Sequence, residues 1–287
     1  MGRRRPTGRK ETERRLSASV RRMRDRMAPA SVGIRGARET GRIAKFIVRT
    51  VEDASAGGTV VALSGGVDSA VVGALCVRAL GEDRVFVLLL PSDHTPEKDS
   101  SDARRMADSW GVRWSNIPIS GIVDALALSS RLEGTKIAKG NLEARVRMTL
   151  LYYHANSLGY LVAGTGDRSE SVLGYFTKFG DGGADLLPIA HLFKTQVRQL
   201  ATYLGLPSDV AEKPASPQLW PGHSALDEIP AGYEKLDIAL HCIYDLKMSP
   251  AGAARRAGVP KHVIDRIMEM HRRSEHKRRM PPSLAAA

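Results

Sequence analysis

Residues 60–77, VVALSGGVDSAVVGALCV, constrain the fold more than any other stretch of the chain. A short apolar run rich in β-branched residues stops at Ser64, two glycines and an Asp–Ser pair intervene, and a small-residue apolar run closed by Gly81 begins. TVVALS reads as a strand and SAVVGALCVRALG as a helix entered through a tight turn. An apolar strand without alternation is one buried on both faces, which is what a parallel sheet covered by helices requires. The same rhythm continues with RVFVLLLP as a buried strand, SSDARRMADSWG as a helix closed by Gly111 and VRWSNIPIS as a third strand. NLEARVRMTLLYYHANSLG follows as a long helix and YLVAGTG as a fourth strand. Residues 38–55 supply an earlier helix, stopped by AGG at 56–58, and LFKTQVRQLATYLG a later one. Residues 166–185, rich in Gly and Asp, read as loose, and the Pro-rich stretch 206–230 as a long loop of the sort that covers a site.

The expected fold is α/β, a Rossmann-like parallel sheet flanked by helices, with a small C-terminal helical appendage in SPAGAARRAGVPKHVIDRIMEMH. The chain has 287 residues, 43% hydrophobic and 26% charged, an ordinary globular balance. No run is long and apolar enough to cross a bilayer, and the arginine-rich start lacks the apolar core of a secretory signal, so no membrane partner and a cytoplasmic location are expected. Cys76 and Cys242, far apart in apolar settings, read as core residues. The net charge of +12 is concentrated at one end: residues 1–30 hold eleven Arg and Lys against three acidic residues. Residues 1–34 are therefore expected to be a disordered basic arm, in which Met23 and Met27 offer alternative starts, with the main domain at 35–280 and a tail at 281–287. The two helices around GVP resemble a helix-turn-helix, yet the second presents Asp265 and Glu269 and few groups suited to base edges, so nucleic acid is not the expected partner.

Ligands of open α/β sheets bind beyond the C-terminal ends of the strands, where SGGVDS lies. Gly65 and Gly66 allow close backbone approach, while Ser64, Ser69 and the N–H groups of the helix start at Val67 offer donors to anionic oxygens. The loop reads as a phosphate cradle, although it matches neither GxxxxGK[ST] nor GxGxxG. In place of a lysine it carries Asp68, and a carboxylate among phosphates makes electrostatic sense with a divalent cation between them. As a bare pattern, a Gly-Gly turn with an Asp is equally compatible with a structural role.

SGGVDS is similar to the signature loop of the ATP pyrophosphatases, which cleave ATP between its α and β phosphates. Within that superfamily four further blocks resemble NAD synthetases of the ammonia-dependent type, in order: GNLEARVRMTLLYYHAN at 140–156, GTGDRSESVLGYFTKFGDGGADLLPIAHLFKTQVRQLA at 164–201, KPASPQLWPGH at 213–223 and SEHKR at 274–278. The resemblance spans residues 38–280 and implies ATP-dependent amidation of deamido-NAD by ammonia, through an adenylated nicotinate, with release of AMP and pyrophosphate. It implies Mg²⁺ on Asp68 and Glu170, and ATP on Ser64, Gly65, Gly66, Val67, Ser69, Thr165, Lys194 and Ser216. Deamido-NAD would meet Arg145, Lys178, Asp181, His276 and Lys277, with Asp181, Lys194 and Asp68 as the catalytic set. It further implies a homodimer. No Cys–Glu–Lys amidohydrolase centre accompanies these blocks, so free ammonia is the expected nitrogen source. KPASP and PGHSALDE depart from the family's usual K-x-P-[ST] and G-Q-[TS]-D-E, which bears on Ser216, His223 and Glu228. The rival readings are another ATP pyrophosphatase that adenylates a tRNA or a nucleotide, and a nonenzymatic nucleotide sensor.

Overall fold

Four short strands form one parallel sheet: β1 (Thr59–Ala62), β2 (Val85–Leu89), β3 (Arg113–Asn116) and β4 (Leu161–Val162), in the order β3-β2-β1-β4. The computed structural model describes residues 32–216, 220, 222 and 224–284; the expected arm up to residue 31, and His223, lie outside the described residues. The chain steps outward from β1 to β2 and β3, then returns to lay β4 on the other side of β1. The loops after β1 and β4 consequently leave neighbouring strand ends in opposite directions, which makes the crevice between them the topological switch point.

The doubly apolar strands are buried on both faces. Val61, Val85, Val87 and Leu89 face one hydrophobic cluster, and Val60, Leu88 and Val162 face the other, as the two-residue period of a strand requires. The first face is covered by α1 (Gly36–Asp53), α2 (Val67–Leu80), α3 (Glu97–Trp110) and α7 (Lys194–Tyr203). In α1 the buried residues Ile43, Ile47 and Val51 recur every fourth position, which places them on one stripe. α2 lies so close to its neighbours that a Cβ at Gly73 would stand 2.7 Å from the Trp110 ring. The second face is covered by α5 (Lys136–Leu158), through Val146, Met148, Leu151 and Ala155.

Several elements differ from the sequence expectation. The third strand ends at Asn116, and Ser120–Ser129 forms a helix, α4, that no pattern announced because none of its residues is buried. The stretch expected to be loose contains a helical turn and a half, α6 (Arg168–Leu173), capped by Asp167 and closed by Gly174 at φ +69°. The long loop contains α8 (Ser208–Ala211) and a 3₁₀ turn at Ala225–Asp227.

The described chain divides into two compact units, one containing Pro230–Glu269 and the other Gly33–Ile229 with Met270–Ala287. The smaller unit is the helical appendage: α9 (Tyr233–Leu240) continues into a π turn, His241–Asp245, and packs against α10 (Pro250–Ala257), after which α11 (Lys261–Arg273) begins. No helix among the described residues is long and apolar enough to cross a membrane.

Candidate active site

The SGGVDS loop is held by its own hydroxyls. Ser69 Oγ donates to Gly66 O at 2.9 Å and accepts from Ser64 N–H at 3.2 Å, and the Ser64 and Ser69 hydroxyls lie 3.2 Å apart. Gly65 has φ +75°, and a Cβ there would meet Asp99 O at 2.4 Å, so the turn needs glycine for both dihedral and space. Gly66 caps α2 and Val67 is its first residue, so the unpaired amides of the helix start face the crevice edge.

Beneath the loop lies Lys194, whose side chain is completely buried at the start of α7. Its Nζ is 2.7 Å from Asp68 Oδ2, 2.8 Å from Glu170 Oε1 and 3.1 Å from Asp167 Oδ2. An isolated buried ammonium would be costly, and three carboxylates from the first turn of α2 and the α6 start compensate it. Glu170 comes to this position because Asp167 Oδ1 accepts the Glu170 N–H at 2.8 Å, an N-cap that fixes the first turn of α6. Burial pushes the Asp167 carboxyl well above the usual range; the charge of Lys194 opposes this, and those of Glu170 and Asp68 add to it. Burial likewise raises Glu170, again against the pull of Lys194. Asp68 Oδ1 is buried with no hydrogen-bond partner.

A second group of residues gathers beside α5. Arg145 donates from Nε and Nη2 to Lys178 O, both at 3.3 Å, and so shapes the turn that carries Asp181. Asp181 is exposed, with Oδ1 accepting the Thr177 N–H at 2.8 Å. Desolvation raises its carboxyl, opposed by that N–H and by the charges of Lys277 and Arg147, with solvent screening part of the effect. Lys277 Nζ donates to Gly174 O at 2.9 Å and Phe176 O at 2.7 Å, tying the C-terminal segment to the same loop. Desolvation lowers its ammonium while Asp181 raises it. The repulsion that Asp181 exerts on Glu170 marks the two groups as electrostatic neighbours.

The expected residues therefore fall into two clusters: Ser64, Gly65, Gly66, Val67, Asp68, Ser69, Glu170 and Lys194 at the crevice, and Arg145, Lys178, Asp181 and Lys277 beside it. Thr165 is half-buried two residues before Asp167, and Ser216 and His276 are exposed. Sequence reasoning missed Asp167, although D-x-x-E before a helix is a capping signature. It also missed Arg147, half-buried on α5, which donates to Leu90 O at 3.0 Å and pairs with buried Glu143 at 3.4 Å. Lys213 was missed too; its Nζ donates to Gly65 O, Asp99 and Asp102. Among the described residues no group of three or more His, Cys, Asp or Glu side chains is disposed to hold a metal ion unaided.

Comparison with known proteins points to one family. The chain is 52% identical over 242 residues to the NH(3)-dependent NAD(+) synthetase of Hyperthermus butylicus, covering 84% of this chain and 88% of that one. It is 48% identical to the enzyme of the same name from Archaeoglobus fulgidus, covering 84% and 94%. Among solved structures it is similar to the NMN synthetase of Francisella tularensis, with a TM-score of 0.78, 31% identity and coverage of 88% and 99%. It also resembles the NH3-dependent NAD synthetase of Campylobacter jejuni, with a TM-score of 0.75, 30% identity and coverage of 88% and 100%. Residues 39–281 match the NAD synthase family, and the chain belongs to it.

Proposed function

We propose that this protein is an ammonia-dependent NAD synthetase: it adenylates the nicotinate carboxylate of deamido-NAD with ATP and converts the adenylate to the amide of NAD. In the first step a carboxylate oxygen bonds to the α phosphorus while the bond to the departing pyrophosphate breaks. In the second, ammonia adds to the activated carbonyl carbon, AMP leaves with the C–O bonding pair, and one proton is released from nitrogen. The observation that carries this reading is the set of Asp68, Glu170 and Lys194, drawn together under the SGGVDS loop at the switch point.

The amides of Gly66 and the α2 start are aimed to bind phosphate oxygens, and Ser64 adds a hydroxyl donor. Thr165 and Ser216 are assigned to the same nucleotide, and Lys194 to the phosphate chain beside Asp68. Buried Asp68 Oδ1, a hard oxygen without a hydrogen bond, suits Mg²⁺, with Glu170 as the second protein ligand. Two carboxylates suffice for an ion that keeps waters and shares phosphate oxygens; when bound, it would neutralise charge on the pyrophosphate. Asp181 is positioned to attract ammonium and to accept its proton, with Lys178, Lys277, His276 and Arg145 lining the path of the dinucleotide.

We assign the catalytic domain to residues 35–280, a cytoplasmic location, and a homodimer without nucleic acid. Support for the dimer comes from α4, α5 and their connection, where Leu126, Leu128, Leu132, Ile137 and Tyr153 are exposed. The test is product formation by purified protein from deamido-NAD, ATP and Mg²⁺, with ammonium or glutamine as nitrogen source. NAD with ammonium, abolished by Asp68→Ala, is expected. The resemblance to the Francisella protein makes nicotinate mononucleotide the second acceptor to supply; preferential amidation of it would overturn the choice of substrate.

A further inference from the structure

Lys213 sits just beyond α8, at the base of the segment that leads to Ser216, and all three of its partners lie 111 to 148 residues earlier, at the phosphate loop or the helix beside it. Its Nζ donates to Gly65 O at 2.8 Å, Asp99 Oδ1 at 2.9 Å and Asp102 Oδ2 at 2.9 Å. These acceptors match the three N–H bonds of an ammonium, and the side chain is largely buried, so Lys213 is fully committed to the scaffold. Its effect on a bound nucleotide must act through what it holds.

What it holds is one peptide plane. Gly65 is pressed against the start of α3, where Asp99 O leaves no space for a Cβ, and its φ of +75° gives the loop a conformation that needs an external restraint. In a planar trans peptide the C=O and the following N–H point in opposite directions. Fixing Gly65 O on Lys213 therefore turns the Gly66 N–H away from the protein body. The acceptor described for that N–H is Ser64 Oγ at 3.4 Å, a long contact that leaves the donor available to a stronger anionic acceptor.

We propose that Lys213 is a positioning residue for ATP: it sets the 65–66 peptide so that the Gly66 N–H faces the phosphates, and it fastens the Ser216 segment to the same loop. This deepens the ATP-dependent reading above and rests on it. Loss of the Lys213 ammonium frees the peptide to rotate, which weakens ATP binding more than it weakens ammonia use.

The test compares the full-length parent with Lys213→Met and with the double variant Lys213→Met/Asp99→Asn, which also neutralises one of the two carboxylates that Lys213 bonds. Lys98→Met serves as control, since Lys98 shares Asp102 but is exposed and does not touch the loop. Thermal unfolding verifies folding, calorimetry with ATP and Mg²⁺ gives Kd without turnover, and steady-state assays give KM for ATP and for ammonium. A rise of about tenfold in Kd and KM for ATP is expected in both Lys213 variants, roughly the loss of one charge-assisted contact. The KM for ammonium and all constants of Lys98→Met should stay near parental. Folded variants with ATP constants within about twofold of the parent would overturn the proposal. Failure of both variants to fold would overturn it as well, by assigning Lys213 to stability alone. A parent that binds ATP but forms no NAD would remove the proposed reaction while the Kd comparison still decides this point.

Discussion

Gly65 concentrates the demands made on the nucleotide loop. Its positive φ and its contact with Asp99 O mean that Gly65→Ala adds a backbone cost of about 1 kcal/mol and a steric displacement of the loop. We expect this variant to lose ATP affinity by more than its melting temperature suggests, a comparison that calorimetry and thermal unfolding make directly. At Asp181 the expectation separates the two chemical steps: Asp181→Asn should retain ATP-dependent adenylation while amide formation falls by roughly a hundredfold. Quenched-flow measurement of pyrophosphate and NAD from the same reaction distinguishes them, and equal losses in both would refute the assignment. Asp68 and Glu170 were legible because they sit in ordered motif blocks. Asp167 was not, since its importance lies in complete burial against Lys194, a property that only the fold creates.

At the scale of elements, the ion network of α3 and α8 makes a pH-dependent contribution. Burial alone would raise Asp102, but hydrogen bonds from Lys213 and Lys98, with their charges, outweigh it and hold the carboxyl below its ordinary value of 3.8. A lowered carboxyl stabilises the folded state above its unfolded pKa, and that stability is lost as pH falls through the folded pKa. Asp102→Asn should therefore lower the melting temperature at pH 7, with the deficit narrowing below about pH 4. A deficit that widened on acidification would contradict this. The buried strands and the long helices could be read in the sequence because their apolar patterns are long or doubly sided. α4 could not, since SGIVDALALS is apolar yet has no buried residue, and α6, six residues long, is too short to display a period. Its N-cap was the available sign, hidden in a stretch whose glycines suggested loop.

For the molecule as a whole, the exposed apolar side chains of α4, α5 and their connection are a departure from a self-sufficient fold. Leu128 and Leu132 are more than four-fifths exposed, and Tyr153 about two-thirds. If a second copy covers them, Leu128→Glu with Tyr153→Glu should shift the protein from dimer to monomer in sedimentation while leaving ATP binding by the monomer detectable; an unchanged mass would remove this face as the contact. The alternation of the four strands with the long helices, and hence the placement of the crevice, was legible. The apolar face was not, because periodicity identifies a stripe without saying whether its own chain or another one buries it.

A hydrogen bond also ties the second cluster to the segment beyond Ser216. Tyr175 OH donates to Glu228 Oε2 at 2.6 Å, so the turn leading to Asp181 is bonded to the segment that follows Ser216. A ligand that moves either side changes the free energy of the other, and the coupling must be equal in both directions. Titrating ATP with and without deamido-NAD would expose it as a shift in Kd, and Tyr175→Phe should reduce that shift.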